Sequence, residues 1–555
     1  MVDEIPSFNL VDNPWIRVRD ESGGVCELSL LGLFDQAPHL RCLANDLPTQ
    51  DLAILRVLLA ILQRAISPGL DEEDDPSEVW GRLWSATRLP MDDIKAYVEQ
   101  WYRNFDLFDP QYPFMQVADL RACNGRALEP KKLVADIPDG EALFSMRSEQ
   151  STNALTYAEA ARWLVHVHAF DTAGIKSGVV GDPRVKGGKS YPIGVGWVGG
   201  LGGLYLEGKS LRETLLLNLI LWDEEEDELF SAADLPAWER PLHPVGGDGE
   251  VPSGRADLYT WQSRRVRLEV VPPLVTGLVL TNGDKLSVQN MHKLEPMTAW
   301  KRSKSQEKKM RISPVYVPVI HRSNRALWRG LSSVFARVNV EESRVHLSPG
   351  IVTWGEHLCS QNGGRHLRPT YRLRLHATGF EYGTQSSVVT ELIDDRLELD
   401  AFLLSSEGER LISMACDCVH ETDEAVAALG KLGSNICRAS GGALEQANGL
   451  RDALRARAYF ELDQIFRLWL AGLTVSSDPV SARTVWRQRA RDTILNIALE
   501  MTSEASPAAV VGTQIKDGKG KPIWMTVAKA LAFCQSSVKK CLPLEDDDLV
   551  EAKEE

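Results

Sequence analysis

The sequence predicts an α+β protein in which a large mixed α/β N-terminal domain is followed by a C-terminal four-helix bundle. With 555 residues the chain is too long for a single hydrophobic core, so more than one domain is expected. Strand-like segments dominate residues 252–390, whereas from about residue 392 apolar residues recur with the 3.6-residue period of helices. The expected division is a mixed domain over 1–395, a bundle over 396–543 and an acidic tail over 544–555.

The N-terminal part contains one helix that should lie in the core. Pro48 and Thr49 are typical of a helix start, and apolar residues surround the helix on all sides, so we expect it to be buried. Its apolar stretch, 52–62, is too short to span a bilayer. The elements expected before residue 120 are short strands over 8–35 that turn at 22–24, helices over 51–66 and 92–103, and an extended or turn-like segment over 112–116.

Two capping boxes mark the starts of later helices. In Thr156–Glu159 and Ser210–Glu213, a hydroxyl and a carboxylate can satisfy free backbone N–H groups at a helix N-terminus. We expect helices from these boxes to about residue 168 and to Trp222. Between them, residues 174–208 contain twelve glycines in 35 positions, where the usual frequency is about 7%. Such a segment suits a loop that another surface approaches closely.

The remaining elements follow from the two periodicities. Strands are expected at 265–271, 274–280, 315–320 and 371–376. Four long helices with short links are expected at 407–430, 441–473, 479–503 and 525–541.

Charge and cysteine content restrict the possible function classes. The net charge is −15, so any contact with nucleic acid must come from local basic patches. Nine scattered cysteines without a Cys-x-x-Cys motif predict reduced thiols in a cytoplasmic chain, with no zinc site and no disulfide framework. The N-terminus has neither the basic nor the apolar region of a signal peptide, and no membrane contact is expected.

Motifs for catalysis, metal or cofactor binding are not found. His166 and His168 form a His-x-His pair, but positions i and i+2 of a helix point apart, so we expect packing histidines and no metal. No nucleophile elbow, local Cys–His pattern or P-loop occurs. The glycines of 199–203 precede a strand and do not open a helix, which argues against a phosphate site on a helix N-terminus. We therefore expect no cofactor.

Basic residues cluster locally in this acidic chain. Residues 301–311 hold six cations and one anion, and they follow Trp300, which offers a stacking or cation–π surface. Smaller clusters lie at 184–189, 264–267 and 365–368. One such cluster alone is typical of a solvated face, but several around a glycine-rich segment favour a local phosphate track. The residues expected to contact phosphate there are Lys301, Arg302, Lys304, Lys308 and Lys309.

Three arginines of the predicted bundle share one helix face. Arg483, Arg487 and Arg491 recur at i, i+4 and i+8. This face suits a phosphate path, and an exposed helix stripe explains the same pattern.

A lone glutamine, Gln385, lies among small residues just after the aromatic pair Phe380 and Tyr382. The flanking segments 371–376 and 388–389 have the character of strands, so a tight turn between two strands is predicted. The turn is either an ordinary hairpin connection or a tip that contacts nucleic acid.

Several segments together resemble one protein family in their order and spacing along essentially the whole chain. They are Phe8–Ile16 (FNLVDNPWI), Leu47–Arg56 (LPTQDLAILR), Tyr112–Gln116 (YPFMQ), Ala160–Leu164 (AARWL) with Ala169–Asp171, and Leu211–Leu219 (LRETLLLNL). The family is that of the CasA-type large subunits of the type I-E CRISPR surveillance complex, Cascade. The resemblance implies the same two-part fold and a subunit without enzymatic activity.

The resemblance also implies a role for particular residues. Family members recognise the protospacer-adjacent motif (PAM) of double-stranded DNA from the minor groove with a wedge, a glycine loop and a lysine. The residues that look equivalent are Thr384, Gln385 and Ser386 for the wedge, Gly174, Gly178 and Gly181 for the glycine loop, and Lys293 for the lysine. Phe144 looks equivalent to an aromatic residue that docks on the 5′ end of the guide RNA.

The partners implied are the other Cascade subunits, the guide RNA, double-stranded target DNA and a recruited helicase–nuclease. The implied action is to recognise the PAM and to start the opening of the duplex. Two alternatives remain at this point: a metal-dependent nuclease or phosphoesterase, and a purely architectural subunit.

Overall fold

The structure, a computed structural model, describes residues 6–70, 74–135, 153–221, 233–241, 245–246, 251–336, 345–360, 364–516 and 520–544. The chain divides into two compact units. The first unit comprises 1–323, 340–368 and 372–396, and the second comprises 324–339, 369–371 and 397–555.

Helices and short strands alternate in the first unit, and long helices dominate the second. The helices are α1 (Leu30–Gln36), α2 (Pro48–Ile66), α3 (Pro76–Ser85), α4 (Met91–Gln100), α5 (Tyr157–Phe170), α6 (Leu211–Asn218), α7 (Arg255–Tyr259), α8 (Lys304–Met310), α9 (Leu331–Val334), α10 (Gly350–Cys359), α11 (Glu409–Ala439), α12 (Leu444–Ala471), α13 (Pro479–Ser503), α14 (Pro507–Val511) and α15 (Val527–Cys541). The strands are β1 (Ile16–Asp20), β2 (Val25–Leu28), β3 (Leu40–Leu43), β4 (Lys176–Ser177), β5 (Lys189–Ser190), β6 (Gly203–Glu207), β7 (Arg264–Val271), β8 (Leu274–Asn282), β9 (Trp300–Arg302), β10 (Tyr316–Pro318), β11 (His346–Leu347), β12 (Arg372–Tyr382), β13 (Val389–Asp400), β14 (Thr513–Lys516) and β15 (Pro522–Met525).

The strands form several small sheets, as expected of an α+β protein. Three sheets have three strands each, in the orders β2-β1-β3, β10-β9-β11 and β13-β12-β6, and three hairpins pair β4 with β5, β7 with β8 and β14 with β15. Strands β1 and β2 are joined at Gly23, whose φ of 91° favours glycine. The predicted fold class is confirmed.

Helix α2 forms the core of the first unit. Sixteen of its nineteen residues are buried, including Thr49 and Gln50 in the first turn. Together with the turn that follows it, residues 48–69, the helix is long and apolar enough to cross a membrane, but 78% of its most apolar window is buried inside the protein. The helix is therefore the buried core helix that the sequence predicts.

A buried ion pair joins α2 to distant parts of the first unit. The Nη1 and Nη2 groups of Arg56 donate to Oε1 and Oε2 of Glu295 at 2.9 and 2.8 Å, and neither side chain is more than 1% exposed. Trp197 Nε1 donates to the same carboxylate at 2.7 Å, as does the backbone N–H of Met297 at 3.0 Å. The Arg56 guanidinium also lies over the ring of Tyr259, 4.6 Å from its centroid. One buried charge pair thus holds α2, α7, the glycine-rich segment and the chain before β9.

A second charged cluster lies on the sheet β13-β12-β6. The two ring nitrogens of His376 are 2.8 Å from Glu207 Oε1 and 2.7 Å from Asp394 Oδ1. Burial alone would lower the pKa of His376, but its hydrogen bonds to the two carboxylates outweigh burial and raise it. Burial likewise opposes the charge of Glu207, and His376 together with Arg396 and Arg374 brings its pKa down to about 2. The cluster joins the three strands through charge as well as through the backbone.

Two predicted helices end earlier than expected. Helix α6 begins at the predicted capping box, where Ser210 Oγ accepts from the Glu213 N–H at 3.3 Å. It ends at Asn218 because the side chain of Asn218 exchanges hydrogen bonds with the backbone of Leu206 in β6, at 3.0 and 2.7 Å. The predicted end at Trp222 falls outside the described residues. Helix α4 ends at Gln100 and is followed by a 3₁₀ turn at Tyr102–Phe105.

The second unit is built on the long helices α11, α12, α13 and α15, which pack on one another. Aromatic rings fill its core. Trp328 stacks on Phe466 with ring centroids 4.5 Å apart. The centroids of Phe466, Trp469 and Trp486 are 4.9–5.3 Å from one another. The predicted C-terminal helices are confirmed. The hairpin β14–β15, inserted between α14 and α15, is not predicted by the helical period.

Removing one partner of the Arg56–Glu295 pair should destabilise the protein strongly. Replacement R56M leaves a buried carboxylate without its counter-charge, at an expected cost of about 3–5 kcal/mol. The double variant R56M/E295M should lose much less than the sum of the two single variants, because no charge remains buried. The measurement is a double-mutant cycle of urea unfolding, and additive losses would contradict the coupling.

Candidate nucleic-acid interface

Gln385 lies at an exposed tip between β12 and β13. The turn is closed by the Gly383 N–H, which donates to Val388 O at 2.9 Å, and by the Ser386 N–H, which donates to Gly383 O at 2.9 Å. Gln385 and Ser386 have φ values of 55° and 54°, a left-handed conformation that costs energy for residues other than glycine. Among the described residues, none forms a hydrogen bond with the Gln385 amide, so both its donor and its acceptor face outwards.

The base of this tip is buried and fixed. The Tyr382 hydroxyl donates to Phe170 O of α5 at 2.7 Å, and burial raises the pKa of this tyrosine. Phe380 packs edge-on against Phe170, with ring centroids 5.6 Å apart. Gly199 leaves room for Tyr382, because a Cβ atom at this position would lie 2.3 Å from the hydroxyl oxygen. An exposed glutamine is thus held on a rigid support.

The start of the glycine-rich segment contacts the tip directly. The Ala173 N–H donates to Ser386 O at 2.8 Å, which brings the next residue, Gly174, beside the wedge residues. The nearest atom to a Cβ at Gly174 would be Thr172 Oγ1, 4.0 Å away, so the position faces open space. The structure therefore brings together two elements for which the family resemblance implies a role in PAM recognition.

The other two predicted glycines differ from each other. Gly178 is buried, and a Cβ there would lie 2.6 Å from Val185 and 2.8 Å from the Gly188 backbone, so its role in the structure is close packing. Gly181 is exposed with a φ of 90°, a turn position that favours glycine.

Arg264 positions the backbone around Gly174 from inside the protein. Its Nη2 donates to Thr172 O and Gly194 O, both at 2.9 Å, and its Nε donates to the Asp171 carboxylate. Lys176 Nζ is 2.6 Å from the same carboxylate. Burial would raise the pKa of Asp171, but these two cations lower it, so the aspartate stays charged. Arg264 thus joins Asp171 and Thr172, which directly precede Ala173, to residue 194 of the glycine-rich segment.

Two arginines of the basic cluster 264–267 are not at the surface, contrary to the expectation from the sequence. Arg264 and Arg265 are fully buried, and Arg265 pairs with Asp284 at 2.8 Å. They are not a surface for phosphate. Their hydrogen-bonding capacity is used by carboxylates and carbonyl oxygens of the protein, some adjacent in the sequence and others, such as Asp171, distant.

A cavity of about 390 Å³ opens beside Gly194. Its wall combines the backbone of the glycine-rich segment with the turn after β8 and with Lys309 of α8. Lys285 lines it too and is exposed. Lys285 is not among the residues predicted from the sequence, although its position directly after a buried strand and next to Asp284 is a signal that could have identified it.

Lys293, the predicted lysine, lies elsewhere on the first unit. It is exposed at the end of a 3₁₀ turn, Met291–Lys293. Asn290 begins this turn with a φ of 57°, and its Oδ1 accepts from the Tyr316 N–H at 2.7 Å. Lys293 does not line the cavity of Lys285.

The predicted basic segment is an exposed surface with one internal ion pair. Arg302 Nε is 2.6 Å from Glu307 Oε1, so this arginine is partly neutralised. Lys301, Lys304, Lys308 and Lys309 are exposed, and none has an acidic partner within the described part of the chain. Trp300, which the sequence analysis proposes as a stacking surface, is only 1% exposed, and that expectation is wrong. Trp300 is the first residue of β9, and its indole is packed in the core.

Two of the three arginines on the predicted face of α13 form ion pairs within the second unit. Glu421 of α11 accepts from Arg483 and Arg487, with Arg487 Nε–Oε2 at 2.8 Å. Burial would raise the pKa of Glu421, but hydrogen bonds from the two arginines lower it. The phosphate path expected from Arg483, Arg487 and Arg491 is corrected for the first two, because an intramolecular carboxylate already holds them. Arg491 is half-buried on the same helix.

Two further predictions concern other places. His166 is buried with Nε2 3.0 Å from Thr49 Oγ1, and burial lowers its pKa to about 3; His168 Nε2 is 2.9 Å from Met115 O. Both are the packing histidines that the helix predicts. In the described part of the chain, no group of three or more metal-binding side chains is found. Phe144 lies outside the described residues.

Comparison with known proteins gives the family of the chain. The sequence model of the family described as CRISPR-associated protein Cse1 matches residues 9–497. A CasA/Cse1 protein of Thermus thermophilus is 33% identical over 272 residues, which cover 48% of this chain and 49% of the relative, so the match spans about half of that relative's length. The crystal structure of Thermobifida fusca Cse1 is 40% identical with a TM-score of 0.86, covering 98% of this chain and 99% of the other. A chain of a structure named "CRISPR RNA-guided surveillance complex" shares the fold at 20% identity, with a TM-score of 0.70 over 96% of this chain and 99% of its own length.

Proposed function

The chain belongs to the CRISPR-associated Cse1 family, and from this premise we propose that it is the non-catalytic large subunit of a Cascade surveillance complex. In this role it recognises the PAM of double-stranded DNA through the minor groove and starts the opening of the duplex. Its partners are the other subunits, the guide RNA through the region of Phe144, the target DNA and a recruited helicase–nuclease.

The observation that carries the proposal is the hydrogen bond between Ala173 and Ser386. It couples the exposed Gln385 tip to the open backbone at Gly174, so that both would meet the same short stretch of DNA. Because the tip has a buried base at Tyr382, it can press on a duplex without folding back. Recognition of DNA from the minor groove requires an inserted side chain and an accessible backbone surface on the same support.

The chemistry of the minor groove agrees with these residue types. The groove separates A·T from G·C but is otherwise degenerate, so a backbone surface and one lysine give a permissive code. An inserted side chain can partly separate neighbouring base pairs. A glutamine amide both donates and accepts, so it replaces some of the hydrogen bonds that the opened pair loses.

The energy balance requires no catalytic residue. Opening one stacked step costs about 1.4 kcal/mol on average, and pairing of the guide with the target strand returns a similar amount. A subunit that only nucleates opening therefore needs neither ATP nor a metal. Guide–target pairing then reads the rest of the sequence.

We propose that the lysine role falls to Lys285 in place of Lys293. Lys285 lines the cavity beside Gly194, and Arg264 donates to both Gly194 O and Thr172 O, which connects the cavity wall to the residue before Ala173.

Replacing Gln385 should weaken PAM-dependent opening in the assembled complex. We expect Q385A to slow opening about three- to tenfold, the loss of one or two hydrogen bonds. Gly174→Asp, which faces open space and adds negative charge toward the phosphates, should act in the same direction. The measurement is the opening rate of target DNA with and without a PAM, followed by a fluorescent base beside it.

The matched control is Gln100→Ala, because Gln100 is another exposed glutamine of the first unit, at the end of α4. If Q385A and G174D open the DNA at the same rate as the control, the recognition role is contradicted and the architectural role remains. Metal-dependent DNA cleavage by the purified chain would favour the nuclease alternative.

The two lysines should differ in their effect on PAM preference. K285A should reduce the ratio of affinities for PAM and non-PAM duplexes more than K293A does. The reverse order would return the role to Lys293.

The basic segment should add affinity without sequence preference. Single alanine variants of Lys301, Lys304 and Lys308 should weaken binding to all duplexes by the same factor, and each should lower the slope of log affinity against log salt by about 0.9. Lys95→Ala on α4, also an exposed lysine, serves as the control. A loss confined to one PAM sequence would contradict the phosphate assignment.

A further inference from the structure

The hairpin β14–β15 of the second unit presents an aromatic ring and a cation on one outward face. In its register Gln514 is opposite Trp524, and Lys516 is opposite Pro522. Side chains of a strand alternate between faces, so these four share one face, and all four are exposed. The opposite face ends at the buried Met525, and the hairpin packs on α11.

Trp524 is held in place with its ring accessible. The side chain is 56% exposed, although large aromatic residues usually lie in a core or an interface. Its Nε1 donates to Val511 O at 3.1 Å, which fixes the edge of the indole and satisfies its polar group. Val510 and Val511, at the end of α14, are 60% and 72% exposed beside it. A fixed, exposed ring loses little entropy when a flat partner stacks on it.

The charge around this ring is positive in an otherwise acidic chain. Lys516 at the end of β14 and Lys521 just before β15 are both exposed. Arg438 of α11 donates from Nη2 to Lys516 O at 2.9 Å. Lys529 is exposed in the first turn of α15. The described residues of the hairpin, 513–516 and 520–525, include no aspartate or glutamate, and the link 517–519 contributes one anion and one cation, Asp517 and Lys519. A phosphate chain is the charge complement of this face.

We propose that this hairpin face binds an unpaired stretch of nucleic acid, with a base stacked on Trp524 and an adjacent phosphate on Lys516. An aromatic platform flanked by cations is the common means of holding single strands, whereas the bases of a duplex are already stacked. The inference rests on the proposed function, because opening a duplex releases one DNA strand without a partner. That displaced DNA strand is the ligand, and unpaired RNA offers the same chemistry.

The test compares variants of the full chain for binding of labelled oligonucleotides of about 20 nucleotides by fluorescence anisotropy. W524A should bind oligothymidine about fivefold more weakly or worse, because a stacking partner is lost, and W524F should retain most of the affinity. K516A should lower the salt slope by about 0.7, the value for one phosphate of a single strand. Phe460→Ala is the matched control, since Phe460 is 83% exposed on α12 away from the hairpin sequence.

Several outcomes would overturn the proposal. One is an unchanged oligothymidine affinity in W524A with an unchanged melting temperature. Another is an equal loss of affinity in W524A for a duplex of the same length. A third is a loss of affinity in W524A for oligouridine alone, which would assign the face to RNA. Failure of W524A to join the other subunits, with normal oligonucleotide binding, would make the face a protein interface.

The same experiment separates this inference from the proposed function. Q385A should bind oligothymidine as the wild type does, because the tip contacts only duplex DNA beside the PAM. W524A should keep the PAM preference of the wild type. Loss of PAM preference in W524A would contradict the separate role of the hairpin.

Discussion

The buried Arg56–Glu295 pair is the constraint on which the first unit depends. A charge in the interior is stable only with its counter-charge and hydrogen-bond partners, so every element that supplies a partner has a fixed position. The Glu295 carboxylate accepts hydrogen bonds from both Arg56 and Trp197. Trp197 lies between Gly196, which lines the cavity, and Gly199, which packs against Tyr382 at the base of the tip. The central helix α2 and the candidate interface are therefore both held by the Glu295 carboxylate.

The same principle separates the basic residues into two groups. Arg264 and Arg265 are inside, where the planar guanidinium can bind several carbonyl and carboxylate oxygens together. Lysines such as Lys285 and Lys309 are outside, where a compact, hydrated charge costs nothing to expose. An acidic protein thereby keeps a local positive surface, because Arg264 and Arg265 are neutralised inside while lysines such as Lys285 and Lys309 are exposed.

Glycine has more than one role in the segment 174–208. Gly178 and Gly196 are required by close packing, since a Cβ at Gly196 would lie 2.5 Å from the Ala169 backbone. Gly174 and Gly181 face open space. Only the second kind leaves its backbone accessible, and the first kind fixes the conformation of the segment by close packing.

The sequence by itself determined the α+β class, the C-terminal helices, the N-cap residues Thr156 and Ser210, the buried α2, the packing histidines and the family, because period, caps and ordered motifs are local signals. It also placed Gln385 in a turn between strands. Only the tertiary structure decided which cations are exposed: it buried Arg264, Arg265 and Trp300, paired Arg483 and Arg487 with Glu421, and placed Lys285 at the cavity. Partners such as Arg56 and Glu295 are distant along the chain, and no local pattern encodes which distant residue will neutralise a charge or cover a ring.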